Sequence, residues 1–156
     1  MGGQIGIILT LRMPALVEKL VLVAPAGFEV FTEPEKKMLK AGLLQAQQWG
    51  RTSGNAATKE KPARETGLQL SMANMLAEPI FDFLPQLSLP VLVVFGENDG
   101  FIPNRFLHPQ TTAQIARLGA SQIPNAELHI FSRCGHYPQN EKPKEFNDVL
   151  GNFLRL

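Results

Sequence analysis

The chain has 156 residues, 44% of them hydrophobic and 19% charged, with a formal net charge of +1. That length suffices for one domain with a buried core, and so balanced a charge gives no electrostatic case for nucleic acid or an anionic membrane as partner. Cys134 is the single cysteine, which excludes an internal disulfide and suits a reducing, cytoplasmic compartment.

Residues 2–12 are apolar on nearly every side, with Ile5, Ile7, Ile8, Leu9 and Leu11. That pattern predicts a buried helix, covered on both flanks and stopped by Met13-Pro14. The apolar run is too short to span a bilayer. Lacking a basic stretch before it and a small-residue cleavage site after it, it does not predict a signal peptide. Gly6 stands where a myristoylation motif needs Ser or Thr. Residues 20–24, LVLVA, form a short β-branched run that predicts a buried strand. Helix followed by strand is half of an α/β unit.

Residues 31–50 carry helix signals: Thr32 as a cap, Glu33, Pro34 and Glu35 in the first turn, and an apolar stripe through Met38, Leu39, Leu43 and Leu44. Residues 51–61 are polar and predict a loop. Residues 65–76 predict a second helix, with Leu68, Met72, Met75 and Leu76 on one side. These two helices interrupt the strand–helix alternation. The expected organisation is a core of residues 1–30 and 79–156 with a helical lid of residues 31–78 inserted in it.

Residues 90–103 read PVLVVFGENDGFIP. Residues 91–95 are unbroken apolar and predict a strand buried on both faces, as in a parallel sheet. Glu97 and Asp99 follow in the turn at its carboxyl end, where open α/β sheets place their chemistry. A helix over residues 111–123 and a strand over residues 127–131, ELHIF, come next. Alternation in that strand puts Leu128 and Ile130 on one side and His129 on the other. The loop Cys134-Gly135-His136-Tyr137-Pro138 follows. A final helix from Pro143 carries Phe146, Val149, Leu150, Phe153 and Leu154 at i, i+3, i+4, i+7, i+8 spacing.

Asp99 and His136 thus each follow a buried strand. Neighbouring parallel strands would bring the two loops to one sheet edge, where a carboxylate can fix an imidazole's tautomer. The order, acid then histidine, matches the last two members of a Ser…Asp…His triad.

On these residues the chain resembles the carboxyl-terminal half of an α/β-hydrolase over essentially its whole length. MGGQIGIILTLRMPALVEKLVLVAPAG resembles the family's stretch from just after the nucleophile through the next strand. FGENDGFIP resembles the turn bearing the catalytic acid, and RCGHYPQNEKPKEFNDVLGNFL the catalytic-histidine loop and final helix. The family's nucleophile elbow reads G-x-S-x-G, and in many members Gly-His-Ser-Met-Gly-Gly. Met1-Gly2-Gly3 match the three residues after that serine, so the serine itself is not in this chain. In related dehalogenases and epoxide hydrolases the nucleophile is Asp followed by Trp; Met1 resembles the serine branch of esterases and carbon–carbon hydrolases.

The resemblance implies a cofactor-free acyl transfer on a small ester-like substrate. His136 is the expected base, Asp99 the acid that orients it, and the Met1 backbone N–H an oxyanion donor. It also implies that an amino-terminal half is needed to complete the sheet. Phe101, Ile102 and Tyr137 are candidates either for a substrate pocket or for apolar packing. Of Ser53, Ser71, Ser88, Ser121 and Ser132, none stands in a strand–turn–helix setting between glycines. Glu97 competes with Asp99 for the acid role. Asp82 and Asp148 lack strand-end settings, and Glu141 reads as a helix-start charge. His108 reads as a surface residue or one that stands behind the site, and His129 as a strand residue facing away from the strand's apolar side. Cys134 lies two residues before His136 but lacks a second ligand pair, so no metal is expected. Against catalysis stands a second reading, a hydrolase-fold remnant that serves as a binding protein or as one subunit of a split enzyme.

Overall fold

The computed structural model describes residues 2–52 and 71–155. They divide into two compact units, Met1–Glu29 with Ile80–Leu156, and Val30–Pro79. In the first unit, helix α1 (Gly2–Arg12) leads through a short 3-10 turn to strand β1 (Leu20–Val23). Strand β2 (Val91–Gly96), helix α4 (Thr112–Ser121), strand β3 (Ala126–Phe131), the short helix α5 (Pro138–Glu141) and helix α6 (Pro143–Arg155) complete it. The second unit holds helix α2 (Glu33–Thr52) and a helical segment α3 at residues 71–77.

The three strands form one parallel sheet in the order β1-β2-β3. Leu20 lies opposite Val91 and Val23 opposite Val94; Val91 lies opposite Ala126 and Gly96 opposite Phe131. All six residues of β2 are buried, and the two faces of the strand feed two different cores. Val91, Val93 and Phe95 join Ile7 of α1, Leu22, Phe28 and Ile115, Ala116 and Ala120 of α4. Leu92 and Val94 join Phe131, Cys134, and Phe146 and Phe153 of α6. A strand sandwiched between helical layers cannot show apolar–polar alternation, which is why β2 reads as a continuous apolar run. Each fully buried Val, Leu or Phe contributes about 1.5–3 kcal/mol of transfer free energy, so β2 is the main anchor for the turn that follows it.

Local signals place the helix ends. Thr111 caps α4 by accepting the Gln114 N–H, while the Gln114 side chain accepts the Thr111 N–H, a complete capping box. Thr32 and Glu35 form the same reciprocal pair at the start of α2. In α6, Phe146, Val149, Leu150 and Phe153 face the sheet, as their spacing predicts, whereas Leu154, expected on the same stripe, is exposed.

Four features depart from the sequence expectations. Helix α2 runs through Trp49-Gly50 to Thr52, because one glycine costs a helix only about 1 kcal/mol. The approach to β2 contains a 3-10 helix, Phe81–Gln86, and the histidine loop contains α5; both are too short to show a period. Helix α1 is covered on one side only by the described residues: Ile7 is buried, whereas Ile5 is 62% and Leu9 45% exposed. The expected helix over residues 65–76 is seen over 71–77, its first residues lying outside those described, as do residues 53–61 of the expected loop. No helix among the described residues is long and apolar enough to cross a membrane.

Helix α4 approaches the core through Gly119. A Cβ at that position would lie 2.1 Å from the Phe28 ring, and Phe28 is fully buried and stacked 6.0 Å from Phe95. Gly119→Ala is therefore expected to destabilise the chain by about 1–3 kcal/mol, the usual cost of overpacking. A fall in the urea midpoint at unchanged slope checks this.

Candidate active site

The turn after β2 is built around one carboxylate. Asp99 is 0% exposed. Its Oδ1 accepts the backbone N–H groups of Phe101 at 2.7 Å and Ile102 at 3.0 Å, so the side chain closes its own turn. Its Oδ2 lies 2.8 Å from Nδ1 of His136. Its backbone is held as well: the Asp99 N–H donates to the Gly96 carbonyl at 3.2 Å, and Arg105 Nη2 donates to the Asp99 carbonyl at 3.1 Å. A buried carboxylate needs such partners, since unpaired burial of a charge is prohibitively costly.

The histidine loop is fastened to the same turn. The Glu97 N–H donates to the Phe131 carbonyl at 2.9 Å and the Asn98 N–H to the Cys134 carbonyl at 2.8 Å. Gly96 permits this approach, because a Cβ there would lie 2.0 Å from the Gly135 carbonyl oxygen. The His136 ring sits between two other rings: Phe101, with centroids 4.9 Å apart, and Tyr137, with centroids 5.0 Å apart, both edge-on. Phe101 is 67% and Tyr137 50% exposed.

This geometry has a direct chemical consequence. An ionised carboxylate can only accept, so facing Asp99 the Nδ1 of His136 carries the hydrogen. Nε2 is then the proton acceptor. Among the described residues, no side chain other than Asp99 hydrogen-bonds the His136 ring. An imidazole so oriented can accept a proton at Nε2.

Of the two carboxylates considered for the acid, the structure brings Asp99 to His136; Glu97 accepts the Arg133 N–H at 3.3 Å instead. Phe101 and Tyr137 flank the imidazole, whereas Ile102 packs into the core and gives Asp99 its N–H. Met1, the expected oxyanion donor, lies outside the described residues. His129 stacks on Phe131, with centroids 4.4 Å apart. Cys134 is buried, and that burial, reinforced by the carboxylate of Glu141, pushes its thiol above the ordinary range. A thiol so shifted is a poor nucleophile.

The comparisons with known proteins bear on the fold. No protein-family model matches the chain. Over 180 residues it is 28% identical to a 2-hydroxy-6-oxononadienedioate/2-hydroxy-6-oxononatrienedioate hydrolase of Cupriavidus pinatubonensis, covering 99% of this chain and 59% of that protein. Over 177 residues it is 30% identical to a 2-hydroxymuconate semialdehyde hydrolase of Pseudomonas putida, covering 98% of this chain and 59% of that protein. Its backbone superposes with a TM-score of 0.65 on the crystal structure of an α/β-hydrolase enzyme from a lagoon-sediment metagenome, at 20% identity, covering 99% of this chain and 57% of that one. The chain has the fold of the carboxyl-terminal part of an α/β-hydrolase. It spans well under two thirds of the length of these relatives.

Within this hydrolase fold, two side-chain roles escape sequence reasoning. Glu29, at the end of the β1 loop, accepts the Asn104 N–H at 2.7 Å and pairs with Nδ1 of His108. It ties the segment after Asp99 to the loop after β1, across 75 and 79 residues of chain. Glu141 lies in the helical turn after His136. Its Oε2 accepts the Gly135 N–H at 2.7 Å and its Oε1 the Tyr137 N–H at 3.1 Å. These bonds, first from Gly135 and then from Tyr137, hold its carboxyl below the usual carboxylate range, and the nearby His136 ring acts in the same direction. With its acidity so increased, Glu141 accepts both bonds throughout the neutral range. It loses them only as pH falls through the lowered value.

Proposed function

We propose that this chain supplies the acid–base pair and the lid of a cofactor-free serine hydrolase that cleaves ester or related acyl bonds, carbon–carbon bonds among them. The observation that carries the reading is the 2.8 Å contact between buried Asp99 and His136 at the carboxyl ends of two adjacent parallel strands. The relatives support it, being hydrolases of 2-hydroxy-6-oxo dienedioates and of 2-hydroxymuconate semialdehyde.

The nucleophile in this reading is a serine outside residues 1–156. Its hydroxyl oxygen attacks the substrate carbonyl carbon while Nε2 of His136 takes the hydroxyl proton. The imidazolium then returns that proton to the departing group as its bond to the carbonyl carbon breaks. Water, deprotonated by the same nitrogen, then bonds to the acyl carbon, and the ester bond to the serine breaks as the imidazolium gives its proton to the serine oxygen. Asp99 holds the imidazole in the required tautomer and stabilises its charged form. In this reading the Met1 backbone N–H is the expected oxyanion donor, aided by the positive amino-terminal end of α1. Phe101 and Tyr137 line the approach to His136, and residues 31–78 are assigned as the lid.

The exposed flank of α1 at Ile5 and Leu9, and the edge of β1 that no described strand pairs, favour a polypeptide that covers them. Either a preceding segment of the same chain or the other subunit of a split enzyme would serve. A remnant used only for binding would need neither the Asp99–His136 contact nor its tautomer.

The experiment is hydrolysis of an activated ester by the purified 156-residue chain and its His136→Ala variant. The expected result is no turnover that depends on His136. Turnover abolished by His136→Ala in this chain alone would overturn the placement of the nucleophile outside it.

A further inference from the structure

The geometry points to Glu141 as a positioning residue for His136: its carboxylate clamps the two peptide N–H groups that flank the histidine, and so fixes the imidazole against Asp99. This rests on reading His136 as the base. Glu141 receives the N–H of Gly135 on one oxygen and that of Tyr137 on the other. No other side chain among the described residues holds the loop on both sides of His136. On the side towards β3, the loop is held through the Cys134 carbonyl by the Asn98 N–H. On the side towards α6, the Tyr137 carbonyl accepts the N–H groups of Asn140 and Glu141, both at 2.9 Å. The one-turn helix α5 therefore exists to fold Glu141 back over the residue it follows. Its side chain and its backbone grip the same residue, Tyr137, one through its N–H and the other through its carbonyl.

The grip matters because the His136 ring has one anchoring bond, to Asp99, and two edge-on ring contacts with partly exposed residues. Rotation of the Gly135 or Tyr137 peptide would swing the ring off the carboxylate. Glycine at position 135 is the residue least able to resist such rotation unaided. A Cβ there would meet the Glu141 carboxylate at 3.0 Å, so the small residue is also what lets the clamp close.

The test uses nuclear magnetic resonance of the resting 156-residue chain, without substrate. Two signals are read: amide hydrogen exchange at Gly135 and Tyr137, and the hydrogen-bonded Nδ1 proton of His136. In Glu141→Ala, both amides are expected to exchange at least about tenfold faster, the loss of one charge-assisted bond each. The Nδ1 proton signal is expected to broaden or vanish, while exchange at Val93 in β2 stays unchanged. A merely structural role would leave the Nδ1 signal in place. Glu141→Gln keeps one acceptor oxygen and should restore protection at one amide only. That variant decides the matter if Glu141→Ala loses protection in β2 as well. Unchanged exchange at both amides and an intact Nδ1 signal, in either folded variant, would overturn the proposal. Because no turnover is measured, that outcome would leave the hydrolase reading standing; conversely, hydrolysis that stays indifferent to His136 in a protein carrying the upstream serine would count against that reading and not against the clamp.

Discussion

Under the proposed function, Asp99→Asn is expected to lower turnover of the complete protein by about 10⁴-fold with little change in the fold, the loss typical when a triad acid becomes an amide. The carbonyl oxygen of Asn can still accept the Phe101 and Ile102 N–H groups that Asp99 holds. Its amide nitrogen, however, must then face Nδ1 of His136, 2.8 Å away in the wild type. Donor facing donor is untenable, so the imidazole shifts its hydrogen to Nε2 and Nδ1 becomes the acceptor. The base is then on the wrong side of the ring. The nitrogen chemical shifts of His136 in the 156-residue chain report this tautomer directly, and an unchanged tautomer in Asp99→Asn would contradict the argument. Asp99→Ala differs in kind. It strips two backbone N–H groups, that of Ile102 buried, and an imidazole of their acceptor, and the expected cost is about 1–3 kcal/mol, that of a donor left without its acceptor. Loss of cooperative unfolding or a large fall in the urea midpoint would show it.

Gly96→Ala carries the second large effect. The added methyl would lie 2.0 Å from the Gly135 carbonyl oxygen and 2.5 Å from that of Cys134. Both are backbone atoms of a loop that the Asn98 N–H and Glu141 hold in place, so no flexible side chain can yield. The expected destabilisation is about 3 kcal/mol or more, at or beyond the upper end of overpacking costs. The direction of the displacement is also set: the histidine loop moves away from the acid turn, and the Asp99–His136 bond lengthens or breaks. Denaturant unfolding measures the first effect, and loss of the His136 Nδ1 proton signal the second. A variant as stable as the wild type would show that the two loops do not meet as described.

The meeting of Asp99 and His136 was legible because their surroundings repeat a simple pattern. Strand β2 is so apolar that only burial on both faces explains it, and each of Asp99 and His136 follows a strand of one parallel sheet. The spacing of Phe146, Val149, Leu150 and Phe153 likewise foretold the face of α6 that meets the sheet. What stayed illegible is set by three-dimensional return rather than by period. Helix α5 is a single turn, and the hold of Glu141 on Gly135 depends on a side chain folding back six residues. Glu29 and His108 meet across 79 residues, a distance over which no local rule operates. Position 96 reads as a strand-ending glycine, although its absent Cβ is what admits the neighbouring loop. For Phe101, Ile102 and Tyr137 the sequence left pocket and packing open. Burial separates them, because Ile102 supplies both an apolar side chain to the core and an N–H to the acid.

The sharpest test of the central claim, that Asp99 and His136 serve a serine outside this chain, is active-site labelling with a fluorophosphonate followed by mass spectrometric mapping. The probe is applied to the 156-residue chain and to the protein produced with whatever reading frame precedes Met1. The account predicts a label on the serine of a Gly-x-Ser sequence upstream of Met1, lost in His136→Ala, and no His136-dependent label within residues 1–156. A label on Ser53, Ser71, Ser88, Ser121 or Ser132 that disappears in His136→Ala would contradict it.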